Sequence, residues 1–423
     1  MQRKTRRCSG RSHHRGRPLR RLQGLPGSAR LPGQNKFKNE RLLLSTRFVP
    51  TALLLGNFVI GTSIMAPAGM LNELSRDLTI SIAQASLLVT LGAVVLCLGS
   101  PLLSWATSRM DRRTLLCTIL LVVMVAHVAA AFTTSFSVML ALRLVMVAAA
   151  APFTPQAAAV VGLILPLDRR ASTIAYVFLG WSLAAAVGLP LMTAIASRYG
   201  YFWCFMLIAV IAALSCALLV WRLSPKLHTP AVDLKAWGEV FRNRLVLLLL
   251  LVTVLQIGGQ FVIFTFIGPL LAQLTHAGPD AISIAFALYG MAGFLGNLAA
   301  TQAVGRFGTF RTSLLSTGSV ALGIAIWAAS AGLYLLMAVG IFIWGLGFAA
   351  MNSMQQARLV AATPSQAGSA VALNTSALYI GQALGSAIGS ALFVHGHYLS
   401  MGYVAVTVMI AAVALIARSR PAS

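Results

Sequence analysis

Two side chains of this 423-residue chain can carry charge inside apolar runs, Arg143 and His127. Arg143 is a permanent cation, and burying one in a membrane helix costs about 2.5 to 3.5 kcal/mol on insertion scales. It therefore either faces a bundle interior or wet cavity, or lies near enough to the membrane surface to snorkel. His127 carries an imidazole that can take up a proton near neutral pH. The other reading of His127 is a packing residue with its hydrogen bond met nearby. Both residues are candidates for coupling charge movement to a change of shape.

The acids are placed differently. All eight (Glu40, Glu73, Asp77, Asp111, Asp168, Asp233, Glu239 and Asp280) fall in the basic tail or between apolar runs, and Glu73 and Asp77 read as loop charges in preference to proton carriers. No Gly-x-Ser-x-Gly, His-Glu-x-x-His, paired aspartates or Walker motif occurs, so neither a membrane enzyme nor an ATP-driven pump fits. Cys8, Cys97, Cys117, Cys204 and Cys216 lack Cys-x-x-Cys spacing and read as free thiols packing as small hydrophobes. No metal and no cofactor is expected.

Uncharged polar side chains within apolar runs give a second set of candidates: Asn57, Gln256, Gln260, Asn297, Asn352, Gln355, Gln356, Asn374 and Gln382. Each must find a partner away from lipid. They either line a substrate cavity or hydrogen-bond between helices, at about 0.6 kcal/mol on average. Gln256 and Gln260 share a helix face beside Gly258-Gly259, where a loosened helix can free carbonyls for a ligand.

These residues need helices in a bilayer to hold them. The chain is 58% hydrophobic and 9% charged, against roughly a quarter charged in soluble domains. Apolar runs are predicted at 48–70, 81–104, 114–133, 137–163, 171–194 and 201–222. After a polar linker at 223–243 they resume at 244–270, 281–304, 312–330, 332–357, 366–393 and 399–417. The fold class is all-α, polytopic, with twelve transmembrane helices in two pseudo-symmetric six-helix halves, 48–222 and 244–423. Two breaks are tight, at Thr133-Thr134-Ser135 and at Ala331-Gly332.

The net charge of +24 reflects topology and not nucleic acid. Residues 1–47 hold fourteen of the 32 Lys and Arg and read as a disordered basic cytoplasmic tail. It either touches anionic lipid, stays solvated, follows from a start site placed upstream of the native one, or is a transit peptide, a reading its Gly and Pro disfavour by spoiling an amphipathic helix. Arg109, Arg112, Arg113, Arg169, Arg170, Arg222, Lys226, Lys235, Arg242, Arg244, Arg306, Arg311, Arg358, Arg418 and Arg420 fall on the tail's side, and Arg76 and Arg198 opposite. The positive-inside rule then puts both termini in the cytoplasm.

The halves repeat each other. Gly99 precedes Arg109 by the same spacing as Gly296 precedes Arg306, and Gly180 to Gly188 matches Gly381 to Gly389. Glycines eight apart lie close to one helix face and let another backbone approach. With Pro190, these glycines are expected at helix-packing contacts.

With Ser108-Arg109-Met110-Asp111-Arg112-Arg113, Arg143, the stretch Gly180 to Pro190, and Gly200-Tyr201-Phe202-Trp203, the chain resembles the major facilitator superfamily. Within that family it is similar to the twelve-span drug:proton antiporters that include bacterial sugar and drug exporters. The loop motif Gly-x-Leu-Ala-Asp-Arg-x-Gly-Arg-Arg keeps only its arginines here. Its Asp falls on Ser108 and its second Gly on Asp111. The resemblance implies a gating loop at Arg109, Asp111, Arg112, Arg113 and Arg306, and a coupling role for Arg143. It further implies a monomeric secondary transporter in the bacterial inner membrane, exporting a small drug-like, sugar or metabolite solute against protons. Related sugar exporters carry an acid in the first span, where this chain has Gly61-Thr62-Ser63. The missing acid keeps alternatives open: a non-transporting receptor or scaffold, an importer, or a facilitator. With Arg143 as the embedded charge, an anionic or neutral polar solute fits better than a cation.

Overall fold

A computed structural model describes residues 48–107, 109–228, 242–363 and 367–419. The tail 1–47, Ser108, residues 229–241 of the linker, and Arg420 with the last three residues lie outside the described residues. Among the described residues every regular element is a helix, as expected where no water is available to the backbone.

Eleven helices are long and apolar enough to span a membrane, and one of them holds two spans. Pro279–Ala329 runs for 51 residues, but Gly308 takes φ 75° and ψ 166°, which ends one helix and starts the next. Only glycine enters that region without strain. Twelve spans result among the described residues. The tight break at residue 332 has the same cause, since Gly332 lies at φ 95°.

The remaining departures from straight spans have local causes. The first span, Val49–Gly69, gives way at Met70 to a short helix, Leu71–Asp77. The seventh, Arg244–Phe264, is likewise followed by a short helix, Ile267–Thr275. Expected as one run, the fourth is two pieces, Phe136–Ala150 and Phe153–Ile164, parted at Pro152. The fifth holds a π turn, Ala184–Gly188, just before Pro190. Proline has no N–H to close an α-helical bond and clashes with the carbonyl four residues back, so the widened turn absorbs it.

Glycines set which spans touch. A Cβ on Gly180 would strike the Leu54 carbonyl, and one on Gly188 would strike Thr62, so the fifth span lies directly on the first. In the other half Gly381 meets Val254 and Gly389 meets Val262, laying the eleventh span on the seventh in the same manner. Pro190 sits in the Leu189–Tyr199 piece beside the π turn.

The halves meet along two seams. On one, the second span (Ile82–Ala106) faces the eleventh (Ala367–Val394): Ser86 Oγ donates to Ser390 Oγ at 3.2 Å and Thr90 Oγ1 to Ser386 Oγ at 2.8 Å. Ser376 Oγ donates to the Cys97 carbonyl at 3.1 Å. Pro101, four residues after Cys97, cannot fill that carbonyl, and the opposite half does so. On the other seam Gly290 of the eighth span abuts the Ala185-Ala186 backbone. An exposed ion pair, Arg198 to Asp280 at 2.9 Å, closes the far end of that seam, opposite the end at which both described termini lie.

Candidate functional site

The site is built around a break in the first span. Pro67 lies inside the Val49–Gly69 helix and has no N–H for the carbonyl of Ser63. Arg143 supplies one from the fourth span: Nη1 donates to Ser63 O at 2.5 Å, Nη2 to Ile64 O at 2.8 Å, and Nε to Leu88 O of the second span at 3.2 Å. Gly92, one turn beyond Leu88, leaves room for the guanidinium, since a Cβ there would lie 3.6 Å from Nε. Arg143 is 8% exposed, so of the two readings made from sequence it occupies the interior one. The arginine ties spans 1, 2 and 4 at one point.

His127 of the third span (Arg112–Phe132) is buried, its Nδ1 2.8 Å from the Val123 carbonyl. A carbonyl only accepts, so Nδ1 carries the proton and Nε2 keeps a lone pair. Phe205 meets the ring edge-on at 5.6 Å. His127 and Arg143 both line a cavity of about 30 Å³ with Pro67, Met139, Met146 and Phe205, enough for a water molecule. Tyr379 of the eleventh span, which packs on the second span, is 8% exposed.

The amides are mostly spent between helices. Asn57 donates to Val177 O at 3.1 Å and accepts from Thr154 at 2.7 Å, and Trp181 Nε1 bonds that same threonine. Gln256 bonds Thr317 at 2.8 Å, Trp344 Nε1 donates to Gln260 at 2.6 Å, and Asn374 accepts from Thr253 at 2.7 Å. Gln355 donates to Leu249 O at 2.5 Å. These five are buried, whereas Asn297 and Asn352 are only half-buried, bonded to Ser353 and to Phe348 O. The helix stays continuous past Gly258-Gly259, and Gln260 Nε2 donates to the Gln256 carbonyl at 2.9 Å.

At the terminal end the loop between spans 2 and 3 is tied to the stretch after span 6. Asp111 caps the third span through Thr114 N and Oγ1, each at 3.0 Å, and accepts from Leu227 N at 2.7 Å. Arg112 N in turn donates to Leu227 O at 2.9 Å. Arg112 is buried, with Nη1 on Thr107 O, and Arg113 reaches Val220 O at 2.6 Å. Arg109 and Arg306 are exposed. Burial alone would raise the Asp111 carboxyl, but the bonds from Thr114 and Leu227 outweigh it and hold it below the ordinary carboxylate range.

Sequence reading did not single out Pro67, Thr154, Trp181, Trp344, Ser376 or Tyr379. For Pro67 a signal existed, because a proline inside a span always frees the carbonyl four residues earlier. Glu73, read as a loop charge, lies in the Leu71–Asp77 helix and is 8% exposed.

A family model described as Major Facilitator Superfamily matches residues 53–270 and again 249–423. Among similar proteins, an MFS-type transporter of Bacillus subtilis (YtbD) is 29% identical, covering 81% of this chain and 87% of that protein. An inner membrane transport protein of Escherichia coli (YdhP) is 28% identical, covering 86% and 92%. A probable sugar efflux transporter of Mannheimia succiniciproducens is 25% identical, covering 82% and 87%. Among solved structures, the D-xylose-proton symporter aligns with a TM-score of 0.72 at 14% identity, covering 90% of this chain and 98% of that one. The nucleoside transporter NupG aligns at 0.68, also at 14% identity, covering 88% and 99%. At these identities the solved structures speak to the fold.

Proposed function

The chain belongs to the major facilitator superfamily, a multi-pass membrane transporter of small molecules and not an enzyme, and we propose that it works as a proton-coupled exporter of a small sugar-like or drug-like solute. The observation that carries this reading is the make-up of the two seams. Small residues and single hydroxyl bonds join the halves, as in Ser86 to Ser390 and Gly290 against Ala185, with one exposed ion pair at the rim. An exposed pair contributes about 0 to 1 kcal/mol. Seams of this kind separate and re-form at low cost, as alternating access requires.

The distribution of basic residues supports a cytoplasmic location for both termini and hence an external location for the end closed by Arg198 and Asp280. A relative named as a probable sugar efflux transporter supports export, and one named as an inner membrane transport protein supports a place in the bacterial inner membrane. Residues 223–243 act as the linker between halves, and the chain acts as a monomer. Asp111, Arg112 and Arg113, with Arg109 and Arg306, form the gating loops. Asn57, Gln256, Gln260, Gln355 and Asn374 hold the cavity wall, while Asn297 and Asn352 reach the solute.

Coupling is assigned to Arg143 and His127, which share one small cavity. His127→Gln keeps a polar side chain but does not titrate. Solute exchange without a gradient should then survive in vesicles, and gradient-driven accumulation should fail. Equal accumulation by the variant and the native protein would remove His127 from the coupling path.

A further inference from the structure

Glu73 is the one acid buried among the described residues. It belongs to the Leu71–Asp77 helix, which extends the first span and packs on the second span and on Ile267–Thr275, the short helix of the opposite half. A Cβ on Gly268 of that helix would lie 3.7 Å from Asn72 Nδ2, so the two short helices meet beside Glu73.

No ion pair holds the carboxyl, although the charge of Arg76 pulls on it. Among the described residues Glu73 makes no ion pair, and Arg76 of the same helix is engaged with Asp77 Oδ1 at 2.9 Å. The surrounding elements offer no substitute. The first span, the second span as far as Thr90, and Ile267–Thr275 contain no ionisable side chain. The sixth span brings Cys204, whose thiol donates to Met192 O, and Tyr201, whose hydroxyl donates to Thr133 O. Burial pushes the Glu73 carboxyl above the ordinary range; its own backbone N–H and the charge of Arg76 pull it back without cancelling that effect, and the charge of Asp77 adds to it.

We propose that Glu73 is a proton-binding site that holds the far end of the bundle shut, protonated while the two short helices are packed together and ionised when that end opens to water. The closed form binds the proton more tightly, so low pH on that side stabilises closure. The stabilisation is lost as pH rises through the elevated pKa. With that end external, the acid side of a proton gradient closes the gate once solute has left, which is the return step of an exporter. The inference rests on the alternating-access reading given above.

The test is hydrogen–deuterium exchange on the full-length protein and on Glu73→Gln, from about pH 5 to about pH 9, the range into which buried carboxyls shift. Rates are corrected for intrinsic pH dependence and followed at residues 68–80 and 265–277. In the native protein both segments should be protected at the acid end and exchange at least tenfold faster at the alkaline end. Glu73→Gln should stay protected throughout, and Glu73→Asp, which still titrates, should keep a pH response. The same pH response in Glu73→Gln as in the native protein, or none in the native protein, overturns the proposal. Solute flux on the same preparations separates the two failures. Flux without a Glu73-dependent response removes the proton site alone, and absence of flux removes alternating access with it.

Discussion

Arg143 donates to the carbonyl of Ser63 at 2.5 Å, the carbonyl that Pro67 leaves without an intrahelical partner. Hydrogen bonds involving a charged group contribute about 1.5 to 3 kcal/mol each. Arg143→Ala should therefore lower the melting temperature in detergent as well as abolish transport. Pro67→Ala restores an N–H to Ser63 and removes one reason for the arginine. Within a double-mutant cycle, Arg143→Ala should cost less stability in the Pro67→Ala background than in the native one. Strictly additive losses would show that the two residues do not act on the same carbonyl.

Gly290 is a point of close backbone approach between the halves. A methyl there would overlap the Ala185 carbonyl and Ala186 Cα, whereas a Cβ on Gly318 meets nothing within 4 Å. Gly290→Ala should destabilise by about 1 to 3 kcal/mol through overpacking and slow transport. Gly318→Ala, in a helix interior, should be neutral or gain up to about 1 kcal/mol. Thermal melts of the pair check the contrast, and equal effects would contradict the seam.

Ser376 and Cys97 repeat the proline arrangement across the halves. Ser376→Ala leaves the partly buried Cys97 carbonyl, freed by Pro101, without its partner at 3.1 Å, at a cost of about 0.5 to 1.5 kcal/mol for the lost hydrogen bond. The bond exists only while this seam is shut. The loss should therefore appear as easier opening, read as faster thiol labelling of Cys97 by a maleimide. Unchanged labelling would place the bond outside the moving seam.

Asp111 gives a pH dependence with a definite sign. Its carboxyl is held low by the bonds from Thr114 and Leu227 against the effect of burial. Its contribution is present above the ordinary carboxylate pKa of about 3.9 and is lost as pH falls through the lowered value. Asp111→Asn should narrow the stability difference between neutral and strongly acid pH. Acid melting curves that superpose with the native ones would contradict the tie to Leu227.

The sequence made the frame legible and the contacts much less so. Hydropathy located the spans because lipid leaves the backbone no other solution, and the run from Pro279 to Ala329 was expected as two spans because Arg306 and Arg311 interrupt it. The matched spacing of Gly180 and Gly188 with Gly381 and Gly389 pointed at close packing, and each glycine does lie against a neighbouring backbone or side chain. The amides were ambiguous because a cavity and a helix contact demand the same residue type. Only geometry reveals that Gln260 answers Trp344. Glu73 reads as a loop charge because hydropathy ends the first span before it, and only the fold shows a short helix carrying it back into the interior.

The central claim is proton-coupled export, and the most direct measurement is uptake of labelled sugars, nucleosides and drugs into inverted vesicles with and without an imposed pH gradient. The expected result is accumulation of one compound that follows the gradient, collapses when it is dissipated, and is absent in Arg143→Ala. Accumulation that is indifferent to the gradient, or no uptake of any compound by protein shown to be folded, would contradict it.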